Sequence, residues 1–197
     1  MSAKRTVTIE VVSDVICPWC LIGTRRLEKA LAALPVPVIA QVRGACAGFG
    51  LSLVLGCDMA VAADSAYFTT AYASIALSGD GGVSWFLPRI LGRRKAFELL
   101  LLADRFGADE ALRLGVVNRV VPPEELEAAT DALVQRFVKG PREAYAEMKR
   151  LLVASPEQSL SAQLQLEAEA FARSSTRPNF DEGIRAFLEK RKPGFNA

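Results

Sequence analysis

The stretch VIAQVRGACAGFGLSLVLGCD, residues 38–58, carries the chain from a β-branched run through a turn holding Gly44, Gly48 and Gly50 into an apolar helical run, roughly residues 49–57. A strand that feeds such a helix directly is the start of a layered α/β arrangement. Glycine lets the backbone approach a ligand closely and adopt positive φ, and the first turn of a helix offers unpaired N–H groups at the positive end of its dipole. The turn therefore has two readings: a purely structural connection, or a cradle for an anion or oxyanion.

The flanking sequence extends the α/β pattern. TVTIEVVSDV, residues 6–15, alternates as a strand, and Leu21, Leu27, Leu31 and Leu34 follow with helical spacing until Pro35 and Pro37 interrupt. MAVAAD and SAYFTTA predict short strands about a turn at Asp64 and Ser65, and ALSGDGG, residues 76–82, predicts a glycine-rich loop. Beyond Val83 the pattern is almost wholly helical, interrupted by a strand in VVNRVV, residues 116–121. Pro122 and Pro123 open one helix, Gly140 and Pro141 separate it from the next, and SPEQ, residues 155–158, predicts a serine cap with proline in the first turn.

Composition removes several chemistries. The 197 residues hold no histidine, which excludes Ser-His and Cys-His dyads and histidine-ligated metals, and no metal site is expected. Basic and acidic residues nearly balance, 24 against 22, and the basic ones are scattered apart from GRRK at 92–95, so neither nucleic acid nor an anionic membrane is an expected partner. No run approaches the ~20 apolar residues of a spanning helix. Without a signal-like start, the expected location is cytoplasmic. Length and composition predict one domain with at most an appendage.

The segments VPVIAQVRGACAGFGLSLVLGCDMAVAADSAYFT, LSGDGGVSWFLPRILG, ADEALRLGVVNRVVP and EGIRAFLEKRKPGF together resemble the crotonase family of acyl-CoA hydratases and isomerases across residues 36–197. The resemblance implies an α/β fold with a crotonase-like (ClpP/crotonase) β-α-β spiral core and a helical C-terminal region from about residue 123. It also implies homo-oligomers, trimers or hexamers, and an acyl-CoA thioester as substrate, coenzyme A being part of that substrate and no separate cofactor being needed. Carried over residue by residue, the backbone N–H of Phe49 donates to the thioester oxygen, with Gly48 and Gly50 flanking it. Ser52 and Tyr72 stand where family hydratases have two glutamates. Asp80 matches the single catalytic carboxylate of isomerase-like members, which usually follows proline where this chain has Gly79, and Gly81 adjoins it at the substrate. Ser52, Tyr72 and Gly81 are thus expected at the substrate. One carboxylate suits double-bond migration, whereas hydration needs two acid-base groups. By its position alone Asp80 could equally cap the helix at residues 81–85. Ser52→Ala is expected to matter little.

Residues 7–31, with Cys17-Pro-Trp-Cys20 leading into a helix, resemble the start of the DsbA-like thioredoxin-fold group that includes 2-hydroxychromene-2-carboxylate isomerases. A helix N-terminus stabilises a thiolate, which makes Cys17 and Cys20 a candidate redox pair. The resulting expectation is a fusion: a thioredoxin-like fragment over residues 1–35, joined to a crotonase-like domain over 36–197 that is truncated at its own N-terminus. Thiol-disulfide exchange is the competing activity, and an inactive oligomeric scaffold is a third reading.

Overall fold

The structure, a computed structural model, describes residues 30–196, and the proposed redox pair Cys17 and Cys20 lies outside them. The chain divides into two compact units, with the division falling between Asp131 and Ala132 and residues 33–37 joining the second.

The first unit holds all the described strands. β1 (Ile39–Val42), β3 (Met59–Ala63) and β6 (Arg119–Val121) form a three-stranded parallel sheet in the order β1-β3-β6. Ile39 pairs with Met59, and Val61 with Arg119. β2 (Ala45–Ala47) and β4 (Tyr67–Thr69) pair in parallel as a second sheet. A two-residue strand β5 (Phe106–Gly107), not expected from the sequence, adds antiparallel to β4. The helices are α1 (Phe49–Gly56), α2 (Val83–Leu91), α3 (Arg93–Leu102) and α4 (Ala108–Arg113).

β1 ends at Val42, and Arg43 and Gly44 carry the chain into β2 in the other sheet, so the glycine turn and α1 start from the second sheet rather than directly from the first. Buried parallel strands read as near-continuous apolar runs. β3 does so: Ala60, Val61, Ala62 and Ala63 are all buried. Leu51, Leu55, Phe68, Val83 and Leu87 complete the core between strands and helices. Ser52 is the exception, a wholly buried hydroxyl on an otherwise apolar helix. A buried hydroxyl needs a partner to offset its lost water, and that partner defines the site below.

The second unit is helical. α5 (Leu126–Lys139) begins in the first unit and continues here, followed by α6 (Arg142–Ala154), α7 (Leu160–Ser175) and α8 (Pro178–Leu188). The expected cap at Ser155 is displaced: Ser155 opens a short 3-10 turn and donates back to the Leu152 carbonyl, while Ser159 caps α7 by accepting the Ala162 N–H at 3.2 Å. Pro156 fits the 3-10 turn, and the chain is extended at Gln158 before the true start. Lys149 Nζ donates to the Val36 carbonyl, and the Asn196 amide donates to the Gly140 carbonyl. A cavity of about 290 Å³ within this unit is lined by Phe180, Ile184 and Phe195 among others, and none of the predicted site residues touches it.

Candidate active site

The site begins at Gly48. Its φ of 54° and ψ of −122° lie where only glycine is comfortable. That conformation turns β2 into α1: the Gly48 N–H donates to the Thr69 carbonyl at 3.1 Å, and the Gly48 carbonyl accepts from Leu51 and Ser52. The next amides, Phe49 and Gly50, occupy the first positions of α1 and have no intrahelical acceptor. No atom lies within 4 Å of where a Gly50 side chain would start, so this face of the turn is open. Gly44 needs neither positive φ nor the missing side chain.

Asp80 arrives from the 76–82 loop. Tyr72 Oη donates to its Oδ1 at 2.5 Å, and Ser52 Oγ donates to its backbone carbonyl at 2.9 Å. The two hydroxyl oxygens are 3.2 Å apart. Tyr72 and Ser52 are buried while Asp80 is half-buried, so the carboxylate stands at the edge of a hydroxyl-lined floor. Burial first, then the bond to Asp80, pushes the Tyr72 phenol above its ordinary value of 10.0. It remains a donor in the neutral range.

The Asp80 side chain does not cap the helix that follows it. α2 starts after Gly82 with no side-chain cap; the Asp80 carbonyl accepts the Val83 N–H, and the carboxylate goes to Tyr72 instead. Gly81 explains the close approach: its φ is 59°, and a Cβ there would meet Ser52 Cβ at 2.6 Å and Phe49 Cδ2 at 2.8 Å. Asp80 is thereby held next to the first turn of α1. A Cβ at Gly79 would meet Val83 Cγ1 at 2.4 Å, which accounts for glycine at the position before the aspartate.

Three supports were not read from the sequence. Thr69 Oγ1 and Thr70 Oγ1 donate to the Ala103 and Leu99 carbonyls at 2.8 and 2.7 Å, tying the end of β4 to the C-terminus of α3. Ala71, at φ 59°, then turns the chain so that Tyr72 follows. Paired threonines at a strand end carried a weak signal; a left-handed alanine carries none. Ser52 Oγ also bonds the Asp80 backbone, a contact that the expectation of little effect from Ser52→Ala did not take into account. Cys46, in β2, is buried, and that burial raises its thiol to about 12. Among the described residues no cluster of His, Cys, Asp and Glu could hold a metal ion, and no helix is long and apolar enough to cross a membrane.

An amide-lined turn beside one held carboxylate invites comparison with acyl-CoA enzymes. The sequence profile described as enoyl-CoA hydratase/isomerase matches residues 23–197. The chain belongs to the enoyl-CoA hydratase/isomerase family. The match begins ahead of residue 36, where the sequence placed the start of the crotonase-like part. Among curated relatives, the "Probable enoyl-CoA hydratase" of Rhodobacter capsulatus is 40% identical over 169 residues, 86% of this chain and 66% of that protein. The 1,2-epoxyphenylacetyl-CoA isomerase of Escherichia coli is 36% identical over 86% of this chain and 64% of that protein. The chain thus spans slightly under two thirds of these relatives. The crystal structure of an enoyl-CoA hydratase from Polaromonas superposes with a TM-score of 0.85 at 38% identity, covering 88% of this chain and 67% of that one. The fold of this family member is therefore crotonase-like, with strands and glycine turn followed by helices.

Proposed function

We propose that this family member binds an acyl-CoA thioester and moves the double bond of an enoyl group, with Asp80 carrying the proton and the Phe49 N–H stabilising the enolate oxygen. One observation carries the reading: the carboxylate beside the Phe49 turn is Asp80, with the Tyr72 hydroxyl on its Oδ1 and the Ser52 hydroxyl on its backbone carbonyl, the two residues that the resemblance sets at the hydratase glutamate positions. A hydroxyl pair committed to Asp80 does not supply a water-activating base and a separate proton donor.

The reaction balances with one base. Asp80 takes a proton from the α-carbon; the C–H electron pair moves into a dienolate with its charge on the thioester oxygen. The proton returns to the γ-carbon, the electrons shift back, and the double bond ends conjugated to the thioester. A donor aimed at such an oxyanion is worth about 100-fold to 1,000-fold in turnover, and a positioned base about 100-fold to 10,000-fold.

Self-association belongs to the same proposal. On the C-terminal helices Leu160, Leu164, Phe171, Ile184, Phe187 and Leu188 are exposed, Phe187 at 80%, and Leu166 is half-buried. A homo-oligomer would cover them. Titration calorimetry with a 3-enoyl-CoA, followed by product analysis, tests the function. Binding with conversion to the 2-enoyl thioester supports it, and formation of a 3-hydroxyacyl product in its place refutes it.

A further inference from the structure

We propose that Tyr72 is a positioning residue for this reaction: its hydroxyl pins Oδ1 of Asp80, so that Oδ2 alone takes and returns the proton. The inference rests on the reading that Asp80 is the proton carrier. A carboxylate has no proton to give, so the 2.5 Å bond is donated by Tyr72, and the phenol has only that one proton. Ser52 likewise has one proton, which goes to the Asp80 carbonyl at 2.9 Å, so the two hydroxyl oxygens, 3.2 Å apart, lie side by side with each donating to Asp80. Backbone and side chain of Asp80 are therefore gripped from the same two buried hydroxyls.

The grip is itself anchored. Thr69 and Thr70 fasten the segment before Tyr72 to the end of α3, and Ala71 is fixed in a left-handed conformation with its N–H on Thr69 Oγ1 at 3.2 Å. Tyr72 is 5% exposed, so water does not compete for its hydroxyl. Asp80 Oδ2 has no hydrogen-bond partner among the described residues and is the carboxylate atom left for chemistry. Fixing one oxygen converts a rotating carboxylate into a single-point base. Proton removal at the α-carbon and return at the γ-carbon then occur from one oxygen and on one face of the substrate. Geometry held this closely is where positioning gains arise, since small misplacements of a base cost up to about 100-fold.

The test has two arms. With [13Cζ]tyrosine the three tyrosines give three resonances, Tyr72 being assigned by elimination with Tyr67→Phe and Tyr145→Phe. Asp80→Asn is expected to move the Tyr72 resonance and leave the other two in place. An unmoved Tyr72 resonance overturns the proposal without reference to turnover. In kinetics with a 3-enoyl-CoA, Tyr72→Phe is expected to lower kcat roughly 10-fold to 100-fold with KM little changed. A merely structural role would instead lower the melting temperature and leave kcat per folded molecule intact. Full kcat in Tyr72→Phe beside an inactive Asp80→Asn overturns the positioning role alone. Isomerisation that survives Asp80→Asn, or none in the unaltered chain, overturns the reading of Asp80 and this proposal with it.

Discussion

Gly81→Ala is the sharpest perturbation of the site that leaves every functional group in place. Two costs add. An L-residue in the left-handed region at φ 59° costs about 1–2 kcal/mol. The new methyl would lie 2.6 Å from Ser52 Cβ and 2.8 Å from Phe49 Cδ2, an overpacking that costs about 1–3 kcal/mol. The sum, about 2–5 kcal/mol, is a large fraction of the ~5–15 kcal/mol that holds a domain together. Gly50→Ala is the control: the same methyl meets nothing within 4 Å, at a helical position where alanine is favoured over glycine by up to about 1 kcal/mol. Urea unfolding of both variants at matched slope is the assay. Gly81→Ala should lower the midpoint clearly, while Gly50→Ala should leave it or raise it slightly. If the loop at 76–82 shifts to relieve the clash, the loss moves from stability to turnover, because Asp80 moves with it. Equal midpoints together with equal turnover for Gly81→Ala and the unaltered chain would refute the argument that Gly81 sets the approach of Asp80 to α1.

In the helical unit, Arg173 and Arg150 both donate to Glu147, chiefly Arg173, and hold its carboxyl near 2 against an ordinary 4.5. A depressed folded-state value stabilises above the unfolded one, so this contribution is present above about pH 4.5 and lost as pH falls towards 2. Glu147→Gln should therefore lower the unfolding midpoint at pH 7 and differ progressively less from the unaltered chain towards pH 2. Cys46, with its thiol raised to about 12 by burial, should be alkylated more slowly in the folded protein than the half-buried Cys57; equal rates would contradict its burial. Sedimentation at micromolar concentration should show a species larger than the 21.3 kDa monomer.

Much of the fold was legible because local chemistry and packing agree. Residues 49–57 were expected as a helix and α1 is Phe49–Gly56; Pro122-Pro123, Gly140-Pro141 and Arg177-Pro178 bracket helices where proline geometry requires breaks. The short strand β5 was missed since two residues give no periodicity, and its existence depends on pairing with β4. At Ser155 a correct cap residue type stood four residues too early, because proline in the next position suits a 3-10 turn as well as a helix start. In the site, Gly48, Phe49 and Asp80 follow from motif and resemblance. The bond from Tyr72 to Asp80 joins positions eight apart, with Tyr72 set by the left-handed Ala71 just before it, a backbone event that no residue type announces. Nothing in the sequence therefore signalled that the Tyr72 hydroxyl would bond the Asp80 carboxylate and the Ser52 hydroxyl its backbone carbonyl.

The most direct measurement is the rate of conversion of a 3-enoyl-CoA to its 2-enoyl isomer by the full chain and by Asp80→Asn, with hydration of crotonyl-CoA followed in parallel. The amide keeps the shape and the Tyr72 contact but cannot take a proton, so the account predicts isomerisation by the unaltered chain, a fall of about 100-fold or more in Asp80→Asn, and no comparable hydration by either. Hydration of crotonyl-CoA at a rate indifferent to Asp80→Asn would contradict it, for another group would then be moving the proton.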